Sequence, residues 1–351
     1  MKIGVFIPKW VGDAAMCVPT LRALRRHYGP QAEIIGIVSP YVTEVLAGTP
    51  WLDDVILFDR KSADRSRGTR GVWHAMRKRK LDVAVDLTNS FRSAGMAWLS
   101  RTPLRIGYAR NFRSPFLTHK LVHPRVGYQW LATPAIDSYL QLAYALGCEC
   151  ESPRLELATS AADEAAADAV WAKLKLPPGE RVVIVNSGGA AGPAKSWPTE
   201  HFASLARRLA VEDGLAVLAI CGPAERDRAQ DIAAQADHPS VVSLAGEDVS
   251  IGLSKACVRR SRLMVTTDSG PRFFAIAFQV PVVTLFGPTD PAWTRTRDPL
   301  ETCLSHPVAC APCGQRTCLL GHHNCMRQLS VERVHAAAKM RLATQPSKLA
   351  A

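Results

Sequence analysis

The chain has 351 residues, of which 47% are hydrophobic and 21% charged, the balance of a globular protein with a sizeable core and room for two domains. Its formal net charge of +12 sets it apart from acidic solvating chains and favours an anionic partner. No apolar run approaches the ~18 residues a membrane-spanning helix needs. The opening "MKIGVFIPKW" is too short in its apolar part for a secretory leader, so the chain reads as cytoplasmic, with its ten cysteines as reduced thiols or metal ligands.

In chain order, short β-branched runs alternate with longer helical patterns. Strands are expected at Lys2–Ile7, Glu33–Val38, Val55–Phe58, Leu81–Leu87 and, more weakly, Arg105–Tyr108. Helices are expected between them at Asp13–Tyr28, Thr43–Ala47, Gly71–Arg79, Ser90–Leu99 and Ile136–Leu146. An Ala-rich helix, Ala161–Leu174, and the loop signal "LPPGE" separate this half from a second of the same kind. There, strands Val182–Val185, Leu215–Ile220, Val241–Leu244, Leu263–Thr266 and Val282–Phe286 alternate with helices Glu200–Val211, Ala224–Gln235, Val249–Arg260 and Pro271–Phe278. A last helix follows at Val331–Ala343. Continuous apolar strands between helices imply parallel sheets buried on both faces. The expectation is α/β: two doubly wound domains facing a central cleft, spanning 1–160 and 178–330, with a C-terminal helix and tail over 331–351.

The charge is uneven. Residues 1–150 hold 21 Lys and Arg against 11 Asp and Glu, and Arg60–Lys80 holds nine basic residues against Asp64 alone. Such a stretch is either a solvated face or a surface for an anionic partner. Aromatic residues are sparse in it, and no nucleic-acid motif surrounds it, so nucleic acid ranks last.

In open parallel sheets, ligands sit beyond the carboxyl ends of the strands. "NSGGAAGPAKSWP" lets backbone approach a ligand through Ser187 and Gly188, and its Lys195 suits a phosphate; alone it could be a plain loop. "TTDSGPR" places Asp268, Ser269 and Gly270 where a strand meets a helix, as a cap or an anion site. "CGPAERD" places Glu225 at a helix start, as a ribose acceptor or a helix-terminal charge. "WVGDAAM" places Asp13 at the first strand-to-helix turn, as an N-cap or a general base.

On "VGDAAMCVPTLRALR", "KSWP" and "TTDSGPRFFAIAFQVPVVTLFGPTDP", the sequence resembles the ADP-heptose:lipopolysaccharide heptosyltransferases of glycosyltransferase family nine, over about residues 1–330. The resemblance implies the GT-B fold and an inverting transfer from a nucleotide sugar. It implies that Asp13 deprotonates the acceptor hydroxyl and that Lys195 neutralises the donor diphosphate. Glu225 would hold the adenosine ribose, and Asp268, Ser269 and Gly270 would contact the diphosphate and sugar. No metal would be required for catalysis. The chain departs from many members at Phe273, where a His is common, which puts donor identity in question; Arg272 beside it could replace the charge. An inner-core lipopolysaccharide acceptor, anionic and carried on the inner membrane surface, would suit the basic N-terminal half, with Arg60, Lys61, Arg92, Arg110 and Arg113 as candidates and peripheral membrane contact expected.

Cys310, Cys313, Cys318 and Cys325 have the spacing C-x2-C-x4-C-x6-C. They could hold a structural zinc ion, remain plain thiols, form disulfides, or serve a redox or iron–sulfur role. Related sugar transferases, a non-catalytic sugar-nucleotide module and a Rossmann oxidoreductase are the other readings, the last disfavoured by the missing dinucleotide fingerprint.

Overall fold

The structure, a computed structural model, describes residues 1–189 and 192–344. The tail beyond 344, and Ala190 and Ala191 of the glycine-rich loop, lie outside the described residues. The chain divides into two compact units. Unit 1 comprises Met1–Leu157 with Ala292–Thr296, and unit 2 comprises Ala158–Pro291 with the chain from Arg297 onward.

Unit 1 is built on β1 (Lys2–Phe6), β2 (Glu33–Val38), β3 (Asp54–Leu57), β4 (Val83–Asp86), β5 (Leu104–Tyr108) and β6 (His119–Leu121). They form one parallel sheet in the order β3-β2-β1-β4-β5-β6. A small antiparallel hairpin follows, β7 (Arg125–Val126) and β8 (Gln129–Trp130). Unit 2 repeats the plan with β9 (Val182–Asn186), β10 (Ala216–Ile220), β11 (Val241–Ser243), β12 (Leu263–Thr267), β13 (Val282–Phe286) and β14 (Glu301–Ser305). Their order is β11-β10-β9-β12-β13-β14, again all parallel.

The central strands explain why the chain folds this way. Every residue of β4, β9, β10, β12 and β13 is buried. Helices cover both faces of such a sheet, so alternation is replaced by continuous apolar runs. Burying each Val, Ile or Leu side chain contributes roughly 1.5–3 kcal/mol. In each sheet the strand order reverses between the first and fourth strands, β1 and β4 or β9 and β12. Loops leaving those neighbours diverge and open a crevice at the carboxyl edge.

The expected Asp13–Tyr28 helix is two helices, Val11–Met16 and Val18–Tyr28. Pro19 stands in the first turn of the second, and without an N–H it cannot reach back to the Ala15 carbonyl. The Ala-rich helix, observed at Ala161–Lys173, belongs to unit 2. A capping box between Ser160 and Asp163 starts it, and Arg259 and Arg260 of the Ile251–Arg260 helix bind its Glu164. No described helix is long and apolar enough to cross a membrane.

Candidate active site

In unit 2 the loops after β9 and β12 meet at the reversal point. Asn186 ends β9, and its side-chain amide donates to Ser269 Oγ at 2.8 Å, Thr266 Oγ1 at 3.0 Å and the Gly188 carbonyl at 3.3 Å. Thr267 Oγ1 also donates to that carbonyl. Ser187, Gly188, Ser269 and Asp268 are thereby fixed as one floor. A Cβ on Gly188 would lie 2.2 Å from the Glu225 carboxyl carbon, so a larger residue there would displace the Glu225 side chain.

Lys195 is brought to this floor by the short turn Pro193–Lys195. Its ammonium donates to Asp268 Oδ2 at 2.6 Å and to the Asp268 carbonyl at 3.3 Å. Behind it, Asp268 Oδ1 lies 3.3 Å from Arg272 Nη1. Arg272 is fully buried and also forks onto Glu301, with Nη2–Oε2 at 3.0 Å, while Glu301 Oε1 accepts from Thr284 Oγ1 at 2.7 Å. Burial works against the Arg272 charge, but Glu301 and Asp268 outweigh it and hold the guanidinium protonated. The result is a row of alternating charges, Glu301–Arg272–Asp268–Lys195, with only Lys195 appreciably accessible, at 21% side-chain exposure.

The geometry revises several expectations. Arg272 is spent inside the protein and does not stand in as an anion ligand for the missing His. Phe273 is buried and packs under the Arg272 guanidinium, 5.0 Å from ring centroid to Cζ, so that position supplies packing. The helix Arg272–Ala277 closes its own start, with the amides of Arg272, Phe273 and Phe274 donating to the carbonyls of Ser269, Gly270 and Pro271. The amides of these three residues are therefore engaged within the turn, and Lys195 is the accessible cation beside them. Glu225 accepts from the Gly222 amide at 2.9 Å, so one of its oxygens closes its own turn.

One feature of this loop had no signal in the sequence. Arg228 ties the Ser187 carbonyl, at 3.3 Å, to Ser196 Oγ, at 2.9 Å, and so joins the glycine-rich loop to the Lys195 turn. The cysteine-rich segment braces that turn as well. The Arg316 carbonyl accepts from the Ala194 amide at 3.1 Å, and the Gly314 amide donates to the Pro288 carbonyl at 2.7 Å. Gly192 has φ +117°, and a Cβ on it would lie 2.5 Å from the Arg316 oxygen.

The cysteines are free thiols. Cys310 Sγ is 3.9 Å from His322 Nε2. Amides of His323, Leu320, Gly321 and His322 point at Cys318 and lower its thiol below the ordinary value. Burial, with Cys310, Cys313 and Cys318 nearby, raises Cys325. As a donor set the four suit zinc in kind, yet among the described residues no group of three or more His, Cys, Asp or Glu converges to hold a metal.

In unit 1, Asp13 is the third residue of the Val11–Met16 helix, whose N-cap is Trp10 with no side-chain cap. The N-cap reading of Asp13 therefore fails. Its Oδ1 accepts a hydrogen bond from Tyr139 Oη at 3.1 Å, delivered by the helix Ala135–Tyr144. Burial, and then the Asp13 charge, push the Tyr139 phenol well above its ordinary value, so it stays a donor. Burial and Asp13 likewise raise the Cys17 thiol, which keeps it neutral. Tyr139 lies 126 residues from Asp13, and its role was invisible in the sequence.

Arg60, Lys61 and Arg110 are exposed and Arg92 half-buried on unit 1. Arg113 is corrected. It is fully buried, paired to Asp86 Oδ2 at 2.8 Å, and it donates to Asn89 Oδ1 and the Tyr108 carbonyl. Asp86 also accepts from Thr88 and Ser93. Arg113 thus holds the loops after β4 and β5 together and offers no charge to an acceptor.

The chain matches the family described as glycosyltransferase family 9 (heptosyltransferase) over residues 69–324. It belongs to that family. Lipopolysaccharide heptosyltransferase 2 of Escherichia coli (strain K12) is 28% identical over 316 residues, covering 84% of this chain and 85% of that protein. Lipooligosaccharide heptosyltransferase 2 of Campylobacter jejuni subsp. jejuni serotype O:6 is 25% identical over 344 residues, covering 95% and 97%. The solved E. coli ADP-heptose lps heptosyltransferase II superposes with a TM-score of 0.78 at 24% identity, covering 98% of this chain and 99% of that one. The paired Rossmann-like units of this family 9 glycosyltransferase are those of the GT-B fold.

Proposed function

We propose that this family 9 enzyme transfers heptose from ADP-heptose to a lipopolysaccharide inner-core acceptor, with inversion. Family membership, the E. coli and C. jejuni relatives and the similar ADP-heptose-named structure support the transfer and its substrates. The observation that carries the mechanism is Asp13, a carboxylate not used as a cap and oriented by a buried phenol.

In this reading Asp13 takes the proton of the acceptor hydroxyl as its oxygen attacks the anomeric carbon. The bond from that carbon to the diphosphate oxygen breaks with its electron pair, and ADP departs. Lys195 neutralises the charge that develops on the diphosphate. Asp268 and Arg272 hold Lys195 ready, and the incoming diphosphate competes with Asp268 for its protons. Ser187, Gly188, Ser269 and Gly270 let the donor approach the backbone, and Glu225 meets the ribose. A fixed ammonium meets the requirement that a metal ion meets elsewhere, so turnover is expected without added divalent cation. The enzyme is expected on the cytoplasmic face of the inner membrane, with Arg60, Lys61, Arg92 and Arg110 on the acceptor side.

A second donor, another nucleotide sugar, draws on Phe273 in place of the common His. Calorimetric titration with ADP-heptose, ADP, UDP and GDP separates the two. Selective binding of the adenosine compounds supports heptose transfer. Preference for UDP or GDP overturns the substrate and keeps the fold.

We also propose that Cys310, Cys313, Cys318 and Cys325 would hold a structural zinc ion, which would draw the four thiols together and stiffen the Lys195 turn. Metal analysis of purified protein finding about one zinc per chain supports this; finding none removes it.

A further inference from the structure

We propose that unit 1 docks on an anionic lipid bilayer through the end formed by the β7–β8 hairpin and the loop after β5. This rests on the glycolipid-acceptor reading and goes beyond it by assigning the membrane contact to a surface outside Arg60–Lys80.

The sequence of this region is unusual in its charge. Between residues 87 and 136 there is no Asp or Glu, against seven Lys and Arg, of which Arg113 alone is turned fully inward onto Asp86. The same stretch contributes large side chains to the surface that ordinary folding would bury. Phe112 is 92% exposed and Tyr128 101%. Val122 and Val126 are also exposed. Tyr128 stands at the hairpin tip, next to Gly127, whose φ of +58° makes the tight turn.

Two sets of ring contacts gather side chains of this region. Arg125 and Arg110 both lie against the Trp130 ring, 4.6 Å and 5.7 Å from its centroid. From Arg110 the chain runs directly to Phe112. On the other side of that loop, Phe116 touches Phe91 and Trp98, themselves half exposed. Guanidinium groups are thus anchored on aromatic rings, with apolar tips projecting beside them. That is the chemistry of a membrane interface, where rings and aliphatic tips enter the headgroup layer and cations meet anionic lipid.

The alternatives fit less well. Two copies of an acid-free basic face repel each other, which disfavours self-association through it. Single-stranded nucleic acid would use stacked rings, but the aliphatic tips offer it nothing.

The test is co-sedimentation of the full chain with phosphatidylethanolamine vesicles with and without phosphatidylglycerol, at low and high salt. The proposal expects binding that requires phosphatidylglycerol and weakens with salt. The double variant Phe112→Ser/Tyr128→Ser should bind roughly tenfold less, because two exposed side chains lose their apolar transfer. Arg125→Gln should weaken the salt-sensitive part. Vesicle binding that is unchanged in the double variant overturns the proposal. So does a wild-type dimer that the double variant converts to monomer, and so does binding of an RNA oligonucleotide without vesicle binding. Donor titration of the same variant keeps the two readings apart, since loss of ADP selectivity with intact vesicle binding sinks only the assigned substrate.

Discussion

A carboxylate in the first turn of a helix is ordinarily a stability device, but Asp13 takes a hydrogen bond from a phenol 126 residues away. Asp13→Asn removes the base while keeping the shape. It should lower kcat by about 10²–10⁴-fold, with the ADP dissociation constant nearly unchanged. Calorimetry beside steady-state kinetics checks the split, and full turnover in the variant would disprove the mechanism. Lys195→Met should act on both quantities. A charge-assisted hydrogen bond is worth about 1.5–3 kcal/mol, so ADP binding should weaken roughly ten- to hundredfold. Asp13, Lys195 and Asp268 could be singled out because each stands in a recognisable motif on the carboxyl side of a strand, Asp268 directly after β12 and the other two in the segments that follow β1 and β9. Tyr139, Arg228 and Glu301 were not. Their partners lie 126, 41 and 29 residues away in the chain, and nothing local in the sequence records such a meeting.

At the level of elements, helices and strands with a full apolar face were readable, and those shaped by a neighbour were not. β2 and β13 appear where expected, because their runs hold a single polar residue each, Glu33 and Thr284. β6 and β14 went unread because they are edge strands with exposed, polar residues, "HKL" and "ETCLS". Arg113 is the same lesson for a side chain: the sequence shows a basic residue among basic residues, while the fold turns it inward onto Asp86. Arg113→Met should therefore reduce stability by about 3–5 kcal/mol, the cost of leaving a buried carboxylate without its partner, and should leave acceptor KM unaltered in the folded fraction. Urea unfolding beside acceptor kinetics tests this; a stable variant with raised acceptor KM would restore Arg113 to the binding set. Gly192→Ala is a second probe of element docking. Its positive φ and the Arg316 carbonyl 2.5 Å from a new Cβ predict a displaced Lys195 turn and weaker ADP binding, measured by the same titration.

For the whole molecule, the repeated alternation of buried strand and helix sufficed to show two Rossmann-like units, since parallel sheets demand continuous apolar strands and crossovers. Where the Ala-rich segment belongs was not legible. Its helix has a weakly differentiated surface, and ion pairs across about a hundred residues join it to unit 2. Those pairs make stability depend on pH in a definite direction. Burial opposes the charge on Glu164, but hydrogen bonds from Thr159, Arg260 and Arg259 outweigh it and hold the carboxyl below its ordinary value. A depressed folded-state value means that the unfolded chain binds the proton first. The contribution is then complete above the unfolded value, near 4.5, and is lost as pH falls through the lower folded value. Glu164→Gln should lower stability at neutral pH and should have its smallest effect in acid, where the native carboxyl is itself protonated. Thermal unfolding of both proteins from neutral pH down to about pH 3 measures the difference. If the gap between them is constant across that range, Glu164 contributes packing and neutral hydrogen bonds, and the ion pairs with Arg259 and Arg260 do not tie the helix to unit 2 energetically.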